Sequence, residues 1–267
     1  MAHETVDVLP DVKSLITEDD TPVDNLPSEK QQRLLTEPLY SSWLGPGPER
    51  PFLAAANVGI FARARNPAIV PDMFLSLDVE IAPDWWRREH RSYFVWEFGK
   101  PPDLVLEIVS NTEGGEKIRK KRQYAWMGVD YYVIYDPLRQ VMSDVLTVYR
   151  LALRRYVRQR QARFPTLQLG LTLWDGVFED RQDTWLRWTD AQGVLIPTGK
   201  ERADAAAQRA EHEYQRAEHE RQRAAQADQR AAQAAQHAEH ERQRADEAQQ
   251  RAERLAALLR QAGIDPQ

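Results

Sequence analysis

The 267-residue chain contains no cysteine. That removes disulfides, thiolate zinc sites and cysteine nucleophiles, and it fits a reducing compartment. Histidine is nearly as scarce where it would count. Of the six histidines, His3 is at the N-terminus and His212, His219, His237 and His240 lie in a polar C-terminal tract, which leaves only His90 for the globular part. A Ser-His-Asp triad, a two-histidine zinc site and a histidine acid–base pair therefore lack the residues they need. No apolar run approaches the roughly 18 residues of a membrane span. Met1–Asp7 has neither the basic start nor the apolar centre of a signal peptide. The expectation is a cytoplasmic protein with no membrane association. With a net charge of −5, bulk electrostatics attract no nucleic acid, and such a partner would need a local basic patch. Any chemistry falls to carboxylates and lysines, residue types that suit a hard cation such as magnesium.

What is present divides into three parts. Residues 1–27 are acidic, with Glu18-Asp19-Asp20, and read as a flexible arm. Residues 28–197 carry the apolar segments. Ser28 is the expected N-cap of a first helix containing Leu34 and Leu35, and Gly45-Pro46-Gly47-Pro48 is a loop. Residues 52–62 read as a strand turning near Asn57, and 69–77 as a buried strand interrupted by Asp72. A Trp- and Arg-rich insertion covers 78–91, and 93–97 reads as a short strand. Strand 103–109, a helix from 116 to 127 closed by Gly128, and strand 131–135 predict a βαβ-like α/β core. Residues 145–151 and 154–160 alternate as a hairpin, with short strands expected at 167–174 and 184–189. Its arginines, Arg154 and Arg155 among them, read as a solvated surface.

The third part, residues 200–262, is rich in Ala, Gln, Arg and Glu, and has no glycine or proline. A long helix is expected from these strong helix formers. Alanine recurs every seventh residue from Ala210 to Ala252, followed by Leu259. Alanine and charge make a poorer seam than leucine and isoleucine, so a coiled coil and a single solvated helix held by charge pairs are both open.

The strongest functional lead is Glu107, a carboxylate inside the apolar run Leu104-Val105-Leu106-Glu107-Ile108-Val109. A buried charge is costly unless it is paired or bound to a metal. Asp72 interrupts a second apolar strand in the same way. If the two strands are neighbours, the acids converge, and a divalent cation offsets their repulsion. In the following helix Glu116, Lys120 and Tyr124 share one face, which would let Lys120 point at the acid pair and Glu116 and Tyr124 lie beside it. Lys117, Arg119, Lys121 and Arg122 give a local positive charge suited to a phosphate backbone. Asp103 and Glu29 are further accessory candidates, although strand start or capping is the preferred reading of Asp103 and a surface position that of Glu29.

Val70-Pro71-Asp72, Pro102-Asp103-Leu104-Val105-Leu106-Glu107-Ile108-Val109-Ser110, Glu116 through Lys120 to Tyr124, and Gly128-Val129 with Tyr131 to Pro137 together resemble the Uma-type restriction endonuclease family of the PD-(D/E)XK nuclease superfamily. The resemblance spans roughly residues 25–195. It implies a restriction-endonuclease-like mixed sheet flanked by helices, and magnesium-dependent cleavage of DNA phosphodiesters, with manganese as a substitute. It assigns Asp72 and Glu107 as metal ligands and makes Glu29 a candidate first-helix acid. Val109 stands where the superfamily pattern has lysine, a role that Lys120 could take over. The competing expectations are an inactive nuclease fold that binds DNA or protein, and a scaffold whose helix at 200–262 self-associates or docks a partner.

Overall fold

The computed structural model describes residues 25–47, 50–63, 67–110 and 116–261, the side chains of Glu116 and Lys117 excepted. Most of the acidic arm and the turn at 111–115 lie outside the described residues. Helix α1 (Leu26–Pro38) is capped by Asn25, whose side chain accepts the Ser28 amide hydrogen at 3.0 Å. The expected cap at Ser28 is thus three residues late: Asn25 has the extended backbone a cap needs, and Ser28 is buried in the first turn. Then follow β1 (Phe52–Ala55), β2 (Ile60–Phe61), β3 (Met73–Leu77), β4 (Tyr93–Phe94), the one-turn α2 (Val95–Phe98) and β5 (Leu104–Ile108). A π-helical turn (Glu116–Lys120) leads into α3 (Lys121–Met127), which Gly128 ends in the left-handed conformation, φ 94°. The chain continues through β6 (Tyr131–Tyr135), β7 (Leu146–Ala152), β8 (Arg155–Arg158), β9 (Arg163–Phe164), β10 (Leu169–Phe178), β11 (Arg181–Asp190) and α4 (Gly199–Gln261).

The main sheet has the order β1-β3-β5-β6-β7-β8. Only β5 and β6 pair in parallel; the other neighbours are antiparallel. The α3 segment is the crossover that a parallel pair requires. This is the expected mixed α/β sheet. The period of two along each strand sorts its two faces. Leu104, Leu106 and Ile108 join Leu35 and Leu39 of the first helical segment and Leu186 and Trp188 of β11 in one core. Val105 and Val109 join Tyr124 of α3 and Tyr132 of β6 in the other. Position 107 shares the parity of 105 and 109, so Glu107 falls on the α3 face.

Three strand expectations change in detail. The strand expected at 69–77 starts only at Met73; Ile69 makes an isolated bridge to Ile60. Pro71 has no amide hydrogen to give to a ladder, and this puts Asp72 at the mouth of β3 rather than inside it. The strand expected at 93–97 stops at Phe94 and becomes α2, which Gly99 terminates at φ 72°. The hairpin β10–β11 is longer than expected, with ten residues in each strand.

The chain divides into two units, Met1–Arg202 and Ala203–Gln267. In the first, Thr198 and Glu201 form a reciprocal cap at the start of α4. The Thr198 amide donates to Glu201 Oε2 at 2.7 Å, and the Glu201 amide donates to Thr198 Oγ1 at 3.1 Å. The same carboxylate takes two bonds from the buried Arg187 guanidinium, at 2.8 and 2.6 Å. In the second unit the helix continues with no described residue buried.

Candidate active site

Antiparallel pairing of β3 with β5 sets Met73 opposite Leu106, and one step further along the register brings Asp72 beside Glu107. Asp72 Oδ2 accepts the Ile108 amide hydrogen at 2.5 Å, so the carboxylate occupies the ladder position that Pro71 and the strand end leave open. Glu107 is fully buried. Both of its oxygens are engaged from the crossover segment: the Lys120 ammonium donates to Oε2 and the Tyr124 hydroxyl to Oε1, each at 2.7 Å. Lys120 and Tyr124 are four residues apart and face the same way.

Burial pushes the Glu107 carboxyl up to about 8, against the downward pull of Lys120 and Tyr124, and the nearby Asp72 charge raises it further. The same pocket raises the Tyr124 hydroxyl well above its ordinary value, first through burial and then through Glu107. The two acids therefore act on one another, and one ammonium does not fully offset the desolvation of Glu107. A divalent cation fits that deficit. Magnesium is commonly held by one or two carboxylates with water completing its shell, and Asp72 and Glu107 are the residues that could hold one here. Among the described residues no group of three His, Cys, Asp or Glu side chains assembles to hold a metal.

The other sequence candidates fall elsewhere or outside view. Asp103 sits at the opposite end of β5, where its Oδ2 accepts from the Leu77 amide at 2.7 Å and the Lys100 ammonium at 2.6 Å; it ties strand ends together. Glu29 is on the surface of α1 and pairs with Arg33 at 2.9 Å. The side chains of Glu116 and Lys117 lie outside the described residues. Arg119 and Arg122 are exposed, and the Lys121 ammonium lies 3.5 Å from the centre of the Tyr149 ring, with burial lowering its proton affinity.

The site also contains a residue that sequence reasoning missed. Gln32 of α1 is buried. Its amide nitrogen lies 3.4 Å from Asp72 Oδ1, and its oxygen accepts from the Asn57 amide at 3.0 Å. The first helix thus supplies an amide, three residues beyond Glu29, rather than an acid. Two consecutive glutamines in a helix look like solvated surface, and nothing in their spacing marks one as buried against an acid.

A buried acid in a mixed sheet, a second acid beside it, and a lysine from the crossover segment meet at one end of β5 in an α/β protein. The Uma2 family, described as "Putative restriction endonuclease", matches residues 19–177. That is more than half of the chain, and the chain belongs to this family. Among solved structures it is similar to a protein from Anabaena variabilis described as a "putative nuclease belonging to DUF820", at 16% identity and a TM-score of 0.37, over 53% of this chain and 71% of that one. A comparison with curated proteins gives no match.

Proposed function

We propose that the chain is a metal-dependent endonuclease that hydrolyses phosphodiester bonds of DNA. The observation that carries this reading is the engagement of buried Glu107 by Lys120 at 2.7 Å with Asp72 alongside. Asp72 and Glu107 would hold a magnesium ion, with manganese as a substitute, and the ion would neutralise phosphate charge and make water more acidic at that point. Lys120 orients the attacking water and stabilises negative charge on the phosphate oxygens. Water adds its oxygen to phosphorus, one P–O ester bond breaks, and the leaving alkoxide takes a proton. Tyr124 and the Ile108 amide hold the two carboxylates in place. Arg119, Lys121 and Arg122, with Lys117, supply positive charge to the DNA backbone. The absence of cysteine suits a cytoplasmic location.

The test is cleavage of plasmid and single-stranded DNA by the full chain with magnesium, with manganese and with a chelator. Metal-dependent cleavage lost in Glu107→Ala is expected; no cleavage of any nucleic acid tried would sink the reading.

One observation favours a second reading, in which the fold binds DNA or protein without cutting it and α4 is the working part. No described residue of α4 is buried, and Leu255 and Leu258 are more than 60% exposed. Residues 200–262 would then self-associate or dock a partner. Sedimentation of the intact chain against one ending near residue 202 discriminates, since self-association through α4 requires a larger particle mass for the intact chain than for its own protomer. No described helix is long and apolar enough to cross a membrane.

A further inference from the structure

Lys121, Arg122 and Trp126 of α3 and Arg154, Arg155 and Tyr156 of the β7–β8 hairpin line one open cavity of about 490 Å³. Among the described residues, no ion pair uses any of these four cations. The hairpin turns through Leu153 and Arg154, at φ 47° and 61°, a left-handed pair that suits a tight β-turn and leaves both arginines exposed. Like charges gathered in a concave site with no acid among its described lining residues repel one another and concentrate a positive field there. The occupant that relieves this is a polyanion.

The walls narrow the choice. Trp126 is 47% exposed, and the Arg63 guanidinium lies 4.6 Å from its ring centre. Tyr156 stands 5.6 Å from the ring of Tyr132, which stands 5.3 Å from the ring of Tyr124, the donor to Glu107. Two ring contacts therefore join the cavity wall to the candidate active site. Bases stacked inside a duplex hide their faces. Only an unstacked base can lie on an indole or phenol ring while its backbone meets the cations. An acidic peptide would satisfy the cations but offers the Trp126 face no planar partner.

We propose that this cavity binds unpaired nucleotides of single-stranded DNA next to the cleavage site, an inference that rests on the nuclease reading above. It turns the hairpin arginines, which in the sequence alone look like solvated surface, into strand contacts.

The test uses the full chain carrying Glu107→Gln, without metal, and a fluorescein-labelled 12-nucleotide single strand followed by anisotropy, with a duplex of the same sequence and a polyglutamate peptide as competitors. Single-strand binding at least tenfold tighter than duplex binding is expected. Arg154→Ala with Arg155→Ala should weaken it about tenfold and lower the salt slope by about 1.4, as loss of two phosphate contacts requires. Trp126→Ala should weaken it by roughly 5- to 100-fold, the worth of one stacked base, while Trp126→Phe recovers most of the loss; circular dichroism of each variant checks its fold. Equal affinity for duplex, polyglutamate competing as well per charge, or variants that bind like the parent would each overturn the proposal. Cavity-dependent binding without metal-dependent cleavage by the unsubstituted chain would sink the nuclease reading and leave this site standing. Cleavage with cavity-independent binding would do the reverse.

Discussion

The Lys120 ammonium donates to Glu107 Oε2 at 2.7 Å across thirteen positions of chain. The position two residues after Glu107, Val109, is buried in the α3-side core, so the cation reaches the acid from the crossover segment and not from the strand. Under the proposed function, Lys120→Met should lower metal-dependent cleavage by about 10²- to 10⁴-fold, the usual worth of a positioned acid–base group. It should also shift the acid limb of the pH–rate profile to higher pH, because removing the cation raises the Glu107 carboxyl further. A variant with unchanged rate and profile would exclude Lys120 from the chemistry.

Glu107 also makes the stability of the metal-free chain depend on pH. Its carboxyl is held at about 8 in the folded state, against an ordinary value of 4.5. The folded state therefore binds more protons than the unfolded state between those values, and stability falls as pH rises through that window, by up to about 1.4 kcal/mol per pH unit. Above about pH 8 this contribution levels off. Urea unfolding at pH 5, 6, 7 and 8 in chelator should show the decline, and Glu107→Gln should flatten it. Metal binding displaces the proton, so manganese affinity should rise with pH over the same interval.

Under the proposed function, Gln32 would act through Asp72, as a positioning residue. Gln32→Leu removes the amide 3.4 Å from Asp72 Oδ1 while keeping similar bulk. The expected outcome is a 10- to 100-fold weaker manganese affinity, about the cost of losing an outer-shell partner. It is read as a smaller metal-induced rise in melting temperature, with the metal-free melting temperature changing much less. A loss of stability with an unchanged metal response would mean that Gln32 only packs.

At the start of α4, Thr198→Ala removes one half of the reciprocal cap with Glu201 and should cost about 1 kcal/mol in chemical denaturation. Glu201→Ala should cost more, because Arg187 is 96% buried at its side chain and loses both charge-assisted bonds. Burial raises the Glu201 carboxyl, but Arg187 and the Thr198 amide outweigh it and hold it below its ordinary value. If Glu201→Ala proved no more costly than Thr198→Ala, the Arg187 pair would be contributing little.

Several parts of this arrangement are legible in the residues. Tyr131–Tyr135 is a strand at the expected bounds because five consecutive bulky residues suit a strand covered on both faces. Gly128 ends α3 because glycine takes the left-handed conformation at little cost. Glu107 stands out because carboxylates are rarely buried alone. The Thr198-x-x-Glu201 pattern is likewise a helix-start signature carried by the residues themselves.

By itself, then, the sequence determined which chemistry is available, the strand–helix–strand order, the misplaced carboxylate at 107 and the lysine and tyrosine spaced to share a face. These are local properties, set by composition and by the periods of strand and helix. Tertiary structure alone decided which acids meet. Asp103 and Asp72 both lie near strands of the same sheet, yet antiparallel register sends Asp72 to Glu107 and Asp103 to the Leu77 amide at the far end. It also decided that Gln32, rather than Glu29, faces Asp72, and that the hairpin arginines share a cavity with α3. Such pairings depend on strand register and element packing, which join residues far apart in the chain and leave no periodic trace within either segment.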